Sequence, residues 1–234
     1  VWIQTIFSPL ISSLLFLLVL SLAIGTDRGD VLGVTFINFL APGLISMQVI
    51  QQSFSHSSSS FMIGKIQGNI VDLLYAPLSA TEVTISVALA AVTRSVMIAT
   101  VSIIVFKLII DIEIRNYFLL IVFTLFSSFI LGNIGIIAGL WAEKFDHMAT
   151  VTNFVIIPLS FLSGTFYSIN RLPEILQIIS KANPFFYMID GFRYSFIGKS
   201  DGSITTGLIY LSILSVVTWF ITYLLYKKGY KIKS

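Results

Sequence analysis

Residues 54–84 read FSHSSSSFMIGKIQGNIVDLLYAPLSATEVT, a polar interruption between two long apolar runs. The serine run from Ser57 to Ser60 reads as a turn. After it, Ile63, Ile66, Ile70, Leu73 and Leu74 recur at three- and four-residue spacing, while Lys65, Gln67, Asn69 and Asp72 take the other face. This spacing predicts an amphipathic helix over about 62–76. Pro77 ends it, because proline lacks an amide proton and clashes with the preceding turn. Ser79-Ala80-Thr81-Glu82 then has the capping-box spacing that opens a further helix. A helix of this kind either lies in the headgroup layer or docks on a soluble partner through its polar face and the Ala76-Pro77-Leu78 corner; pattern alone does not separate the two.

The flanking runs settle the class. Hydrophobic residues make up 56% of the 234 and charged residues 11%, against about 45–50% and 25% in soluble domains. The apolar residues fall in blocks long enough to cross a bilayer. The expectation is an all-α integral membrane protein with six spans, at about 3–24, 31–54, 83–106, 117–141, 148–167 and 204–226, with Asp146 as cap of the fifth. The long stretch between spans five and six holds two short, re-entrant outer helices over about 173–196, whose rings suit an aromatic belt. An even number of spans puts both termini on one side. Lysine and arginine counts on the two sides are balanced, but the dense cluster Lys227, Lys228, Lys231 and Lys233 places the termini in the cytoplasm. The chain opens at Val1 almost directly on an apolar run, which reads as a missing natural N-terminus with no signal peptide.

Composition also excludes. There is no cysteine, and His56 and His147 lack ligand spacing, so neither disulfide nor metal chemistry is expected. The net charge of +3 sits at membrane edges, where lipid headgroups are the partner and nucleic acid is not. Gly198-Lys199-Ser200 ends like a phosphate loop, but Arg193 stands where its first glycine belongs, so this chain binds no ATP and no cofactor of its own. No nucleophile with base or carboxylate pair marks an enzyme.

Several intramembrane residues stand out. Pro42-Gly43 interrupts the second span, as a hinge or as a static kink. Gln48, Gln52 and Ser55 form a polar stripe that should face the bundle. Asn153, Ser160 and Gly164 share a face of the fifth span, with Pro158 among them, and line either a route or a packing contact. Gly132, Gly135 and Gly139 let another helix approach the fourth span. Arg94 is a cation deep within a span, and a structural or conduit role is favoured over direct substrate contact.

Read in order, Phe39-Leu40-Ala41-Pro42-Gly43-Leu44, the Ser57–Phe61 run, Leu73-Leu74-Tyr75-Ala76-Pro77-Leu78-Ser79, Gly132-Asn133-Ile134-Gly135, Pro158 to Gly164, and Asn183-Pro184 with Asp190-Gly191-Phe192-Arg193 resemble the permease subunits of type-2 ATP-binding-cassette exporters. The resemblance covers nearly the whole chain. It implies a half-transporter that dimerises, sits in the inner membrane among its lipids, and exports lipid-linked glycans, lipids or drugs. It also implies that two cassette ATPase subunits, carrying ATP and Mg2+, dock on the loop between spans two and three through Lys65, Asn69, Asp72, Leu73, Leu74, Ala76 and Pro77. It puts an outer gate at Asn183, Pro184, Phe185 and Arg193, and Pro42, Gly43, Gln48, Gln52, Asn153, Pro158, Ser160 and Gly164 on the route or dimer face. The family usually carries an amphipathic helix before the first span; the chain begins too late to show it, which fits the expected truncation and leaves that element unassessed. The other classes are a gradient-driven transporter, which would need buried carboxylates or inverted repeats, and an assembly factor; all acidic residues fall in expected loops or span ends, which favours the exporter.

Overall fold

A computed structural model describes residues 2–24, 30–70 and 75–231. The described helices are α1 (Trp2–Ile24), α2 (Phe36–Ile66), α3 (Ala80–Ile109), α4 (Tyr117–Trp141), α5 (Phe145–Leu162), α6 (Glu174–Ala182), α7 (Pro184–Ile197) and α8 (Ile204–Lys227). Among the described residues the only extended pairing is an isolated bridge between Val31 and Val34 at the turn into α2.

The expected serine turn does not form. Ser57 to Ser60 lie inside α2, which runs unbroken for 31 residues, about 46 Å at 1.5 Å per residue. Two hydroxyls of the run bond back to their own helix: Ser58 Oγ donates to the Ser55 carbonyl at 3.1 Å, and Ser59 Oγ to the same carbonyl at 2.6 Å. Small side chains there also admit the glycine face of α4. A Cβ on Gly135 would lie 2.6 Å from the Phe54 carbonyl oxygen, and one on Gly139 would lie 2.8 Å from that of Ser58. Met62 to Ile66 therefore belong to α2 and not to a separate interfacial helix. The break comes at Gln67–Asn69, where Gly68 takes a left-handed φ of +77°. Helical residues reappear at Ile70 and Tyr75, and Val71 to Leu74 lie outside the described residues.

The expectation of six apolar spans changes in a second way. Five helices, α1, α3, α4, α5 and α8, are long and apolar enough to cross a membrane. The sixth candidate, α2, is long enough but carries Gln48, Gln51, Gln52, His56 and the serines. It tolerates them because it lies at the centre, packed by α1, α3, α4 and α7. Phe39, Leu40, Ile45, Ile50 and Phe54 of α2 form the core with Phe106, Phe123, Ile130, Leu131, Met188 and Ile189. In contrast, α1 and α5 turn broad apolar faces outward, including Leu15, Leu18, Leu22, Phe154 and Val155.

Helix starts follow local chemistry. The capping box before α3 forms as its spacing predicts, with the Glu82 amide donating to Ser79 Oγ and the Ser79 amide to Glu82 Oε2. The cap of α5 is Lys144; Asp146 stands in the first turn and makes no capping bond. Inside α5, Thr152–Ile156 forms a π-helical turn, with the Ile157 amide reaching the Thr152 carbonyl. Pro158 follows and has no amide proton to continue an α-helical ladder.

Candidate functional site

A polar stripe on α2 supplies the site. Gln48 is buried, and its Nε2 donates to the Pro9 carbonyl of α1 while Oε1 accepts from Ser102 Oγ of α3 at 3.2 Å. One α2 residue thus braces three helices. A turn further on, the stripe opens. Gln52, Ser55, His56 and Ser59 join Ser8 and Pro9 of α1 and Arg94 of α3 around a cleft of about 290 Å³. Toward the other end, a second cleft of about 240 Å³ is lined by Ser8, Ser12, Ser13, Leu44, Met47, Gln51 and the rings of Phe16, Phe161 and Phe166. Ser8, Pro9 and Gln52 belong to both, so the two form one groove along α1 and α2, with the end of α5 at its aromatic wall. The side chains of Gln51, Gln52 and His56 make no hydrogen bond to another described residue.

Of the residues expected on the route, only Gln48 and Gln52 meet in this groove. Asn153 and Pro158 are exposed on α5, whereas Ser160 is fully buried. They share no face because the π turn inserts an extra residue between Asn153 and Ser160 and rotates the helix past it. Gly43 and Gly164 gather elsewhere, around Arg193, and Pro42 is buried beside Gly43 in α2.

Arg193 is the largest fully buried side chain among the described residues. Its Nη2 donates to the Gly164 carbonyl at 2.7 Å and to that of Thr165 at 3.1 Å, and its guanidinium lies 3.9 Å over the Phe39 ring. Gly43 makes the room, since a Cβ there would sit 2.8 Å from Nη2 and 2.6 Å from the Thr165 oxygen. Nearby, Asn183 Nδ2 donates to the Leu159 carbonyl at 3.0 Å and to Ser163 Oγ at 2.7 Å, while its Oδ1 accepts the Phe185 amide. Pro184 opens α7 and Phe185 is buried. Asp190 accepts the amides of Asp201 and Gly202, and Asp201 in turn holds the Ile169 amide and Asn170 Nδ2. The expected gate residues are therefore a hydrogen-bonded joint fastening α6 and α7 to the ends of α2 and α5. The aspartates of that joint were not picked out by spacing.

At the opposite end, Lys65 is turned inward. Its Nζ donates to the Leu140 carbonyl at 2.9 Å and the Ala142 carbonyl at 2.7 Å, closing the C-terminus of α4 where the helix dipole favours a cation. Lys231 bridges Glu143 at 2.7 Å beside it, and this contact holds the Glu143 carboxyl below the usual carboxylate range. Asn69 is exposed, with its Nδ2 on Gln67 Oε1, and Ala76 is half-buried. Asp72, Leu73 and Leu74 lie outside the described residues. What protrudes instead is apolar: Ile66, Leu78, Pro77 and above all Tyr75, 85% exposed. Ile70 anchors the corner in a small core with Phe61, Val83, Ile136, Leu140 and Tyr226.

Tyr75, Gln51, Ser8 and Ser12 were missed in the sequence. The i, i+4 pair Ser8 and Ser12 in a mostly apolar first helix was the available signal for the groove.

The sequence profile described as ABC-2 type transporter matches residues 1–197. The inner membrane transport permease YadH of Escherichia coli strain K12 is 30% identical over 234 residues, covering all of this chain and 91% of that protein. Nodulation protein J of Rhizobium leguminosarum bv. viciae is 23% identical, over 94% of this chain and 85% of its own length.

Proposed function

We propose, on the premise that this chain belongs to the ABC-2 type transporter family, that it is the membrane half of an ATP-driven exporter working as a dimer with two cassette ATPase subunits. The family makes it a permease subunit, a transport component, and in our reading it has no catalytic site of its own. ATP and Mg2+ then belong to the partner subunits. By likeness to the inner membrane permease of E. coli, and by its apolar helices, it resides in the inner membrane as a multi-pass protein. In our reading α2 crosses with the five apolar helices, both termini face the cytoplasm, and α6 and α7 dip into the outer interface.

The observation that carries the reading is the groove: a polar lane lined by Gln52, Ser55, His56 and Arg94 in a bundle whose other outward faces are mostly apolar. Lipid contact would penalise such a lane, so it suits a substrate route closed by a second copy. Coupling follows from the unbroken α2. The partner ATPase bears on the 67–78 corner, and Lys65 ties that end of α2 to the end of α4. The two close-packed helices move together, and α2 carries the displacement to the groove and on to the Arg193 joint. The substrate is an amphiphile such as a lipid-linked glycan, a lipid or a drug.

The test is gentle extraction of the full-length protein from its native membrane and identification by mass spectrometry of what accompanies it. The expected result is a stoichiometric cassette ATPase that is lost with Tyr75→Asp or with changes at Asp72 and Leu73. Repeated extraction without such a partner would overturn the reading.

A further inference from the structure

We propose that the groove seats an anionic headgroup, so that the transported amphiphile carries a phosphate or carboxylate that pairs with Arg94. This rests on the exporter reading and adds the chemical class of its substrate. Arg94 stands at the midpoint of the 30-residue α3, the depth at which a guanidinium is most costly to keep. It lines the wider cleft beside His56, so a guanidinium and an imidazole able to hydrogen-bond face the same space. No carboxylate lines either cleft among the described residues. The neutral groups around the cation are hydrogen-bond formers: the Gln52 amide, without a partner among the described residues, and the hydroxyls of Ser8 and Ser55. An oxyanion would use the guanidinium for charge-assisted bonds and the amide and hydroxyls for its remaining lone pairs. The groove then continues to Phe16, Phe161 and Phe166, an apolar wall suited to the chain that follows a headgroup. A cationic amphiphile would meet like charge in the same place. This assigns Arg94 direct substrate contact, the role the sequence alone disfavoured.

The experiment measures equilibrium binding of radiolabelled dodecyl phosphate to the full-length permease in phosphatidylcholine nanodiscs, with empty nanodiscs subtracted. Saturable binding is expected, undisturbed by dodecyltrimethylammonium at equal concentration. Arg94→Gln should weaken it about tenfold or more, and Arg94→Lys by less. Gln52→Glu, which leaves Arg94 in place and adds a carboxylate to the cleft, should weaken it as well. Inorganic phosphate should compete poorly, because it lacks the chain; competition at the same concentration as the alkyl phosphate would overturn the amphiphile assignment. Equal binding of the cationic probe, or unchanged affinity in both Arg94→Gln and Gln52→Glu, would overturn the anionic one. The partner ATPase takes no part in this measurement, so a failure here leaves co-purification with that subunit as a separate outcome.

Discussion

Gly135→Ala is the substitution that weighs most directly on the frame of the groove. The added methyl would lie 2.6 Å from the Phe54 carbonyl oxygen, 3.0 Å from Ser57 Cβ and 3.2 Å from the Ser58 amide nitrogen. Ordinary contact begins near 3.4 Å, so α2 and α4 must separate by about 0.8 Å (3.4 less 2.6), and the obstacle is backbone that no rotamer change can move. Overpacking of this kind costs about 1–3 kcal/mol, against about 1 kcal/mol regained by replacing glycine in a helix. The net expectation is a loss of up to about 2 kcal/mol. Gly64→Ala is the matched control, because it lies in α2 with nothing within 4 Å of the new methyl and collects the helix gain alone. The two variants should differ by about 2 kcal/mol, or about 4–8 °C in unfolding temperature for a chain of this size. Intrinsic tryptophan fluorescence during heating of the detergent-solubilised permease reads this. If Gly135→Ala melts with Gly64→Ala, the close α2–α4 contact is not there, and the idea that the two move together goes with it.

Other outcomes follow from the same contacts. Lys65→Met keeps the aliphatic stem but uncaps α4; because the ammonium is partly exposed, the loss should be only about 1 kcal/mol, with faster proteolysis near Glu143. Arg193→Met leaves the Gly164 and Thr165 carbonyls unsatisfied in a buried joint and should cost about 3 kcal/mol in denaturant unfolding, with Arg193→Lys recovering only part because an ammonium cannot lie flat on Phe39. The Lys231–Glu143 bridge depresses the carboxyl and raises the ammonium, so its contribution is complete at neutral pH. It fades as pH falls through the lowered Glu143 value, or as pH rises through the raised Lys231 value. A spin label at Tyr230 should gain mobility in acid and in high salt, and constant mobility down through the carboxylate range would refute the bridge.

Much of the arrangement could be read along the chain, and the misses share one cause. Spans α3, α4 and α8 were legible because their apolar runs are long and end in strong local signals, such as Ser79 with Glu82, or Asn116, whose Oδ1 accepts the Leu119 amide. The end of α2 was not, since a serine run reads as a turn until the hydroxyls of Ser58 and Ser59 are seen bonded back into the helix and its surface filled by the glycines of α4. Lys65 looked like a docking charge because its acceptors lie in Gly139 to Ala142, remote in sequence. The grouping of Asn153 with Ser160 failed because one π turn changes the helical phase on which the grouping depends.

By itself the sequence determined the class of the molecule. A chain 56% hydrophobic, with almost all of its charges outside the long apolar runs and its motifs in family order, is a helical bundle in lipid, where each segment satisfies its own backbone. Only the tertiary structure decided which polar groups are spent on holding that bundle together and which remain free to meet a ligand. Gln48, Lys65, Asn183, Asp190 and Arg193 are consumed by carbonyls, amides and hydroxyls on other elements, while Gln52 and His56 open onto a groove. The reason is physical: a hydrogen bond between helices depends on their separation and rotation, and both are set by packing between segments far apart in the chain.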